Sequence, residues 1–287
     1  MKNAIEVTGL TKAYPNFSLS DVSFALPEGS ILGLIGENGA GKTTTLKAIL
    51  GLIQRDGGTI KLLGREVLSK NKQEIHEQIG VVFDEGNFHD ALKAPQISSF
   101  LGKIYRNWDS ELFIHYLKQF SLPSDKPLKQ YSTGMKRKLS LCAALAHHPK
   151  LLILDEATSG LDPVVRDEML DLFLEFIQQE DHAILLSSHI TSDLDKIADY
   201  ITFLHEGRVI FSRSKDDLLE NMGVLKCSVE QLHSLPREQI IRYRENQFGA
   251  EALIEDKAAF RRLHPEAIID PASTEEIMLF YVRGQSL

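Results

Sequence analysis

Gly36-Glu37-Asn38-Gly39-Ala40-Gly41-Lys42-Thr43-Thr44 fits the phosphate-binding loop pattern G-x-x-x-x-G-K-[ST] without a gap. Before it, Ile31-Leu32-Gly33-Leu34-Ile35 is a short apolar run that reads as a buried strand; after it, Thr44 to Leu50 reads as a helix. Glycines let the backbone wrap closely round phosphate oxygens, with successive N–H groups and the helix N-terminus aimed at the anion. Gly36, Asn38, Gly39, Ala40, Gly41, Lys42, Thr43 and Thr44 are therefore the candidate phosphate-binding residues. Lys42 is expected to reach the β- and γ-phosphates, and the Thr43 hydroxyl to ligate Mg²⁺. A bare Gly-rich strand–helix turn is the plainer alternative, and the strand, lysine, hydroxyl and helix together weigh against it.

Upstream of the loop, residues 3–10 alternate apolar and polar through Ile5, Val7 and Leu10, and Val22, Phe24 and Leu26 alternate in a second stretch. Both read as antiparallel strands. Downstream, Asp56-Gly57-Gly58 is a turn, Thr59 to Leu63 is strand-like and Ile79 to Phe83 is another buried strand. Residues 95–147 change to longer amphipathic helical patterning, broken by Pro123 and Pro127; Leu151 to Leu154 and Ala183 to Ser187 then return to core strands. This order predicts an α/β fold, a P-loop nucleotide core with an antiparallel β subdomain and a helical subdomain over about 88–148. The pattern shifts near residue 213. A main domain over 1–213 and a small C-terminal α+β appendage over 214–287 are therefore expected, the latter close to the lower size limit for independent folding.

Composition excludes several classes. The apolar fraction of 43% and charged fraction of 25% are those of an ordinary soluble globular protein. A formal net charge of −8 argues against a nucleic-acid partner held by phosphate neutralisation, and against direct attraction to anionic lipid. No apolar run approaches the roughly 18–20 residues of a membrane span, so no direct membrane insertion is expected. Met1 to Glu6 lacks the apolar segment of a signal peptide. Cys142 and Cys227 lack metal-ligand spacing, which suits buried thiols in a reducing cytoplasm.

Leu151-Leu152-Ile153-Leu154-Asp155-Glu156 delivers two carboxylates at the end of an apolar strand, as a nucleotide fold positions a Mg²⁺ partner. Asp155 is the candidate metal ligand, and Glu156 is placed to orient or deprotonate an attacking water. With both motifs in hand, the chain resembles the nucleotide-binding subunit of an ATP-binding-cassette (ABC) transporter from about residue 3 to residue 213. Tyr131-Ser132-Thr133-Gly134-Met135 lies where that family carries its Leu-Ser-Gly-Gly-Gln signature; Ser132 and Gly134 match, while Thr133 and Met135 depart. The resemblance implies that Ser132 and Gly134, opening a helix over Lys136 to His147, face the γ-phosphate bound by an opposite subunit. Without the other motifs a simple helix cap would serve as well. Ser159-Gly160-Leu161-Asp162 matches the dimer-contact loop, and His189 the switch histidine that touches the γ-phosphate. Tyr14 corresponds to the aromatic residue stacked on adenine.

One departure stands out. Asp84-Glu85 occupies the place where the family has a Gln that touches Mg²⁺, so the resemblance makes Asp84 a third metal-site residue beside Thr43 and Asp155, with added negative charge near the γ-phosphate. The signature variant, the loop at Asp84 and the tail ending Glu276-Ile277-Met278-Leu279-Phe280-Tyr281 are similar to bacterial export-type systems. Such systems imply ATP and Mg²⁺ as cofactors, catalytic roles for Lys42, Glu156 and His189, and a second ATPase subunit in a homodimer or heterodimer. They also imply a separate polytopic membrane subunit expelling peptides, antibiotics or lipids, with this chain peripheral on the inner membrane face. Two rival readings are a soluble ABC-type switch acting on ribosomes or DNA, and a regulatory module with weak hydrolysis. A single cassette without sustained heptads disfavours the first, and the intact Lys42, Asp155, Glu156 and His189 disfavour the second.

Overall fold

Strict alternation makes the first two elements. In β2 (Phe17–Pro27), Val22, Phe24 and Leu26 are buried while Asp21, Ser23 and Ala25 face out, as a half-buried strand requires. It pairs antiparallel with β1 (Asn3–Tyr14), Val7 lying opposite Phe24 and Leu10 opposite Val22. The computed structural model describes residues 2–68, 70–84 and 88–286. Glu85, the companion of Asp84 in the sequence motif, lies outside the described residues.

β3 (Ile31–Ile35) is buried along its whole length and runs through the phosphate loop into α1 (Lys42–Ile49). β4 (Gly57–Leu62) and the short β5 (Arg65–Glu66) complete a sheet in the order β2-β1-β4-β5. After α2 (Lys72–His76) and β6 (Ile79–Val82) come the helices α3 (Ala94–Leu101), α4 (Ser110–Gln119) and α5 (Thr133–Leu145). The chain then returns through β7 (Leu151–Asp155), α6 (Pro163–Phe176), β8 (Ala183–Ser188), α7 (Thr191–Ile197), β9 (Tyr200–His205) and β10 (Arg208–Ser214).

The central sheet has the order β10-β9-β3-β8-β7-β6, with β9, β3, β8, β7 and β6 mutually parallel. Continuous apolar runs suit such strands, because helices cover both faces. Ile5, Leu10, Leu26, Leu34, Leu46, Ile49, Ile60, Ile153 and Leu185 belong to one core that joins the antiparallel sheet, α1 and the parallel sheet. The register sets Ile35 beside Ser188 and Asp155 beside Ser187, so β3, β7 and β8 end together. Everything that follows those ends meets at one edge of the sheet, where open α/β sheets bind ligands.

The chain divides into two compact units, Met1–Ser212 and Arg213–Leu287. The division falls one residue before the boundary read from the sequence. The second unit holds α8 (Lys215–Asn221), β11 (Gly223–Cys227), α9 (Val229–Ser234), β12 (Arg242–Asn246), β13 (Gly249–Ile254), α10 (Lys257–Leu263), β14 (Ile268–Pro271) and α11 (Thr274–Arg283). Its antiparallel sheet runs β12-β13-β11-β14 and carries a core of its own around Leu225, Leu232, Ala252, Ile254 and Phe260. The apolar face of α11 puts Ile277 and Phe280 in the interior, and the Arg244 guanidinium lies 4.1 Å from the Phe280 ring centre.

Gly207, between β9 and β10, fastens the phosphate loop to the first sheet. Its N–H donates to the Ala40 carbonyl at 3.0 Å and its carbonyl accepts from Ser20 N–H at 2.9 Å. Its φ is +75° and a Cβ there would stand 1.8 Å from the Ser18 carbonyl oxygen, which no side chain tolerates. Gly207→Ala is expected to cost about 2 kcal/mol of stability, read as a lower urea midpoint with an unchanged slope. A midpoint equal to that of the unaltered chain would show that the turn relaxes freely.

Candidate active site

Gly41 closes the phosphate loop as the residue capping α1, in the left-handed region at φ +107°. A Cβ there would lie 2.6 Å from the Phe17 ring and 2.7 Å from a Leu19 methyl, so only glycine lets the β1–β2 hairpin press against the loop. The buried Lys42 turns back over the loop: its Nζ donates to the Gly36 carbonyl at 2.7 Å and to the Glu37 carbonyl at 3.3 Å. Ala40 N–H donates to the Glu37 carbonyl at 3.1 Å, closing the turn that presents Asn38 and Gly39 to solvent. Thr43 and Thr44 stand in the first turn of α1.

The Thr43 hydroxyl donates to Asp155 Oδ2 at 2.8 Å, and the Ser187 hydroxyl donates to Asp155 Oδ1 at 2.6 Å. Asp155 is 2% exposed, so both carboxylate oxygens need these partners. Ser187 Oγ also accepts from Glu156 N–H at 3.1 Å, which makes this hydroxyl the joint between the two acidic residues. Nothing in a single sequence assigns it that role. The only signal is a polar residue closing the apolar run Ala183 to Leu186, a place where serine is common.

Glu156 adopts φ +50°, a left-handed conformation that costs a non-glycine residue on the order of 1 kcal/mol or more. Its side chain is 14% exposed and bridges two partners: Oε1 lies 3.3 Å from Lys42 Nζ, and Oε2 lies 2.7 Å from His189 Nδ1. The structure thus gathers Lys42, Thr43, Asp155, Glu156 and His189, from the ends of three strands, into one hydrogen-bonded cluster. Thr43 and Asp155 supply hard oxygen donors side by side. Among the described residues there is no group of three or more His, Cys, Asp or Glu side chains able to hold a metal. That donor set suits Mg²⁺, which takes one or two carboxylate or hydroxyl ligands and fills its remaining positions with water and phosphate oxygens.

The remaining residues singled out from sequence lie in three other places. Tyr14 ends β1 opposite Phe17, whose ring abuts the Gly41 backbone; it is 43% exposed, with Lys12 Nζ 5.5 Å from its ring centre. Ser132 caps α5, its hydroxyl accepting from Met135 N–H at 3.2 Å. The helix opens at Thr133, three residues earlier than its sequence pattern suggests, and it ends at Leu145. Ser132 and Gly134 line a cleft of about 320 Å³ together with Gly160, Leu161 and Asp162. Among the described residues no hydrogen bond or ion pair joins this cleft to Lys42, Asp155 or Glu156. Asp84 is turned to another partner: its carboxylate pairs with the Arg137 guanidinium of α5, and among the described residues it has no bond to Thr43 or Asp155.

A parallel sheet whose strand ends carry a phosphate loop, a buried Asp followed by a partly buried Glu, and a histidine on the glutamate defines a P-loop ATPase, here with a helical insertion whose helix α5 is capped by Ser132. The family model described as ABC transporter matches residues 19–159. The chain is 36% identical over 213 residues to the bacitracin transport ATP-binding protein BcrA of Bacillus licheniformis, covering 73% of this chain and 69% of that one. It is 34% identical over 291 positions to the ABC transporter ATP-binding protein YtrB of Bacillus subtilis, covering 98% and 99%, so the likeness extends through both units. A solved ATP-binding subunit of an ABC transporter superposes with a TM-score of 0.68 at 28% identity, over 75% of this chain and 91% of that one. The chain belongs to the ATP-binding proteins of ABC transporters, and it is an ATPase.

Ser187→Ala removes the hydroxyl's bonds to Asp155 Oδ1 and to Glu156 N–H, and leaves Glu156 N–H its bond to the carbonyl of residue 187 at 3.1 Å. It is expected to destabilise the fold by about 1–3 kcal/mol and to raise the Mg²⁺ concentration that half-saturates hydrolysis several-fold. Unchanged Mg²⁺ dependence in a titration of steady-state ATPase activity would reduce Ser187 to a packing role.

Proposed function

We infer that this chain powers an exporter of peptides, antibiotics or lipids as one of two ATPase subunits seated on a separate membrane-spanning chain. The observation that carries the two-subunit reading is the separation of the two anion-facing surfaces. Lys42, Thr43, Asp155, Glu156 and His189 form one cluster. Ser132 and Gly134 form another, beside the loop Ser159 to Asp162. A second copy, or a sibling chain, turned about a two-fold axis sets the Ser132 surface of one subunit over the Lys42 surface of the other. Each interface then encloses an ATP. The exporter reading is supported by the relatives, one of which is named for bacitracin transport. No helix among the described residues is long and apolar enough to cross a membrane.

Within such an interface Lys42 offsets charge on the β- and γ-phosphates and the loop amides cradle them. Thr43 and Asp155 are the residues that would hold Mg²⁺, which would supply positive charge beside the phosphate oxygens. Tyr14 offers an exposed ring for the adenine. Glu156 orients the attacking water and accepts its proton, because one carboxylate oxygen is anchored on His189 Nδ1 while the other faces Lys42. His189, held by that bond, presents Nε2 to the γ-phosphate. Ser132 Oγ and the amide of Gly134 close the far side.

Glu156→Gln keeps the size of the side chain and removes the base. Hydrolysis is expected to fall by a factor on the order of 10² or more, with ATP binding retained and an ATP-dependent dimer visible by size-exclusion chromatography. A monomer turning over ATP near the unaltered rate would remove Glu156 from this role.

A further inference from the structure

Three consecutive basic residues follow the signature, and each pairs with a different neighbour. Lys136 Nζ lies 2.5 Å from Asp90 Oδ1, Arg137 pairs with Asp84, and Lys138 pairs with Glu168 of α6. Asp84 and Asp90 both belong to the stretch that leaves β6, and Lys129 N–H donates to the Asp90 carbonyl at 2.8 Å. The Asp84 pair therefore ties the end of a core strand to the second turn of α5, and the Asp90 pair holds the first turn. The third ties α5 to the helix that Asp162 caps.

Arg137 is the most enclosed member of the Asp84 pair. Its side chain is 11% exposed against 53% for Asp84, and its Nε and Nη1 have no hydrogen-bond partner among the described residues. A guanidinium in that setting depends on its carboxylate, because taking one partner away leaves an uncompensated charge out of water. Arg137 also sits five residues after Ser132 on a continuous helix, so a shift at Arg137 is carried to Ser132 and Gly134 as a rigid rotation.

We propose that Asp84 and Arg137 are a positioning pair for the signature surface, and that Asp84 is no metal ligand. The inference rests on the two-subunit reading above. Asp84 neutralises and holds Arg137, Arg137 sets the angle of α5, and that angle brings Ser132 and Gly134 onto the γ-phosphate of the opposite subunit's ATP. The acidic residue at position 84 is matched to the cation at 137. A glutamine at 84 leaves the guanidinium without its counter-charge.

The test compares the full chain with Asp84→Ala, Asp84→Gln, Arg137→Met and the double variant Asp84→Ala/Arg137→Met. Three readouts are taken: Mg²⁺ titration of steady-state hydrolysis, ATP-driven dimerisation on the Glu156→Gln background, and ATP binding in EDTA as the check that each protein is folded. Asp84→Ala and Asp84→Gln are expected to lower maximal turnover about tenfold and to weaken the ATP dimer comparably, with the half-saturating Mg²⁺ within about twofold of the unaltered chain. The double variant is expected to recover several-fold over Asp84→Ala, because the stranded cation leaves with its partner. A half-saturating Mg²⁺ raised about tenfold in Asp84→Ala, a tolerated Asp84→Gln and no recovery in the double variant would make Asp84 a metal ligand and overturn this inference alone. Absence of any ATP dimer on the Glu156→Gln background with position 84 intact would overturn the two-subunit reading and this inference together.

Discussion

The site depends on one buried carboxylate. Asp155 is delivered by β7, and its two oxygens are claimed by Thr43 from the helix after β3 and by Ser187 from β8. Three strands are thereby locked at the level where they end, and the register that pairs Ile35 with Ser188 and Asp155 with Ser187 follows the same constraint. A carboxylate at this depth is costly unless each oxygen is hydrogen-bonded. The same bonds that satisfy it also aim the phosphate loop and Glu156 at one point. Packing supplies the platform: the apolar runs of the parallel strands leave no freedom for the strand ends to slide past one another.

Long apolar runs and glycine spacing were legible in the sequence because both are local. Ile31–Ile35, Leu151–Asp155 and Ala183–Ser188 stand where their composition places them, and the loop between β3 and α1 follows its motif. What was not legible is pairing across the chain. The bond from Ser187 to Asp155 and the pairing of Asp84 with Arg137 join residues far apart in sequence, and serine, aspartate and arginine are too common for any one occurrence to announce a partner. Helix starts slipped for a different reason. Thr133 and Gly134 are poor helix formers, yet Ser132 caps them into α5 through Met135 N–H. In the second unit, β12 is the largely polar run Arg242 to Asn246, which hides the alternation that marks a strand.

Charge is unevenly spent in this molecule. The chain is acidic as a whole, at a formal −8, yet Lys136, Arg137 and Lys138 stand together at the start of the signature helix. A helix N-terminus disfavours cations through its dipole. Here each of the three is compensated by a carboxylate from another element, so the first turns of α5 are held by external ion pairs more than by helix propensity. The helical insertion is therefore coupled to the sheet and to α6 electrostatically, while its interior is apolar around Phe113, Leu139 and Leu141.

The left-handed backbone at Glu156 sets a limit on how this position can change over generations. Glycine, asparagine and aspartate adopt that backbone most readily, so they are the replacements that would relieve the local strain. All three are too short to reach His189 Nδ1 at the distance Glu156 spans. Residues long enough to span it, glutamine among them, keep the strain and lose the negative charge. A replacement that relieves the strain at this position therefore gives up the bridge from Lys42 to His189, so local stability and the geometry of the cluster pull in opposite directions.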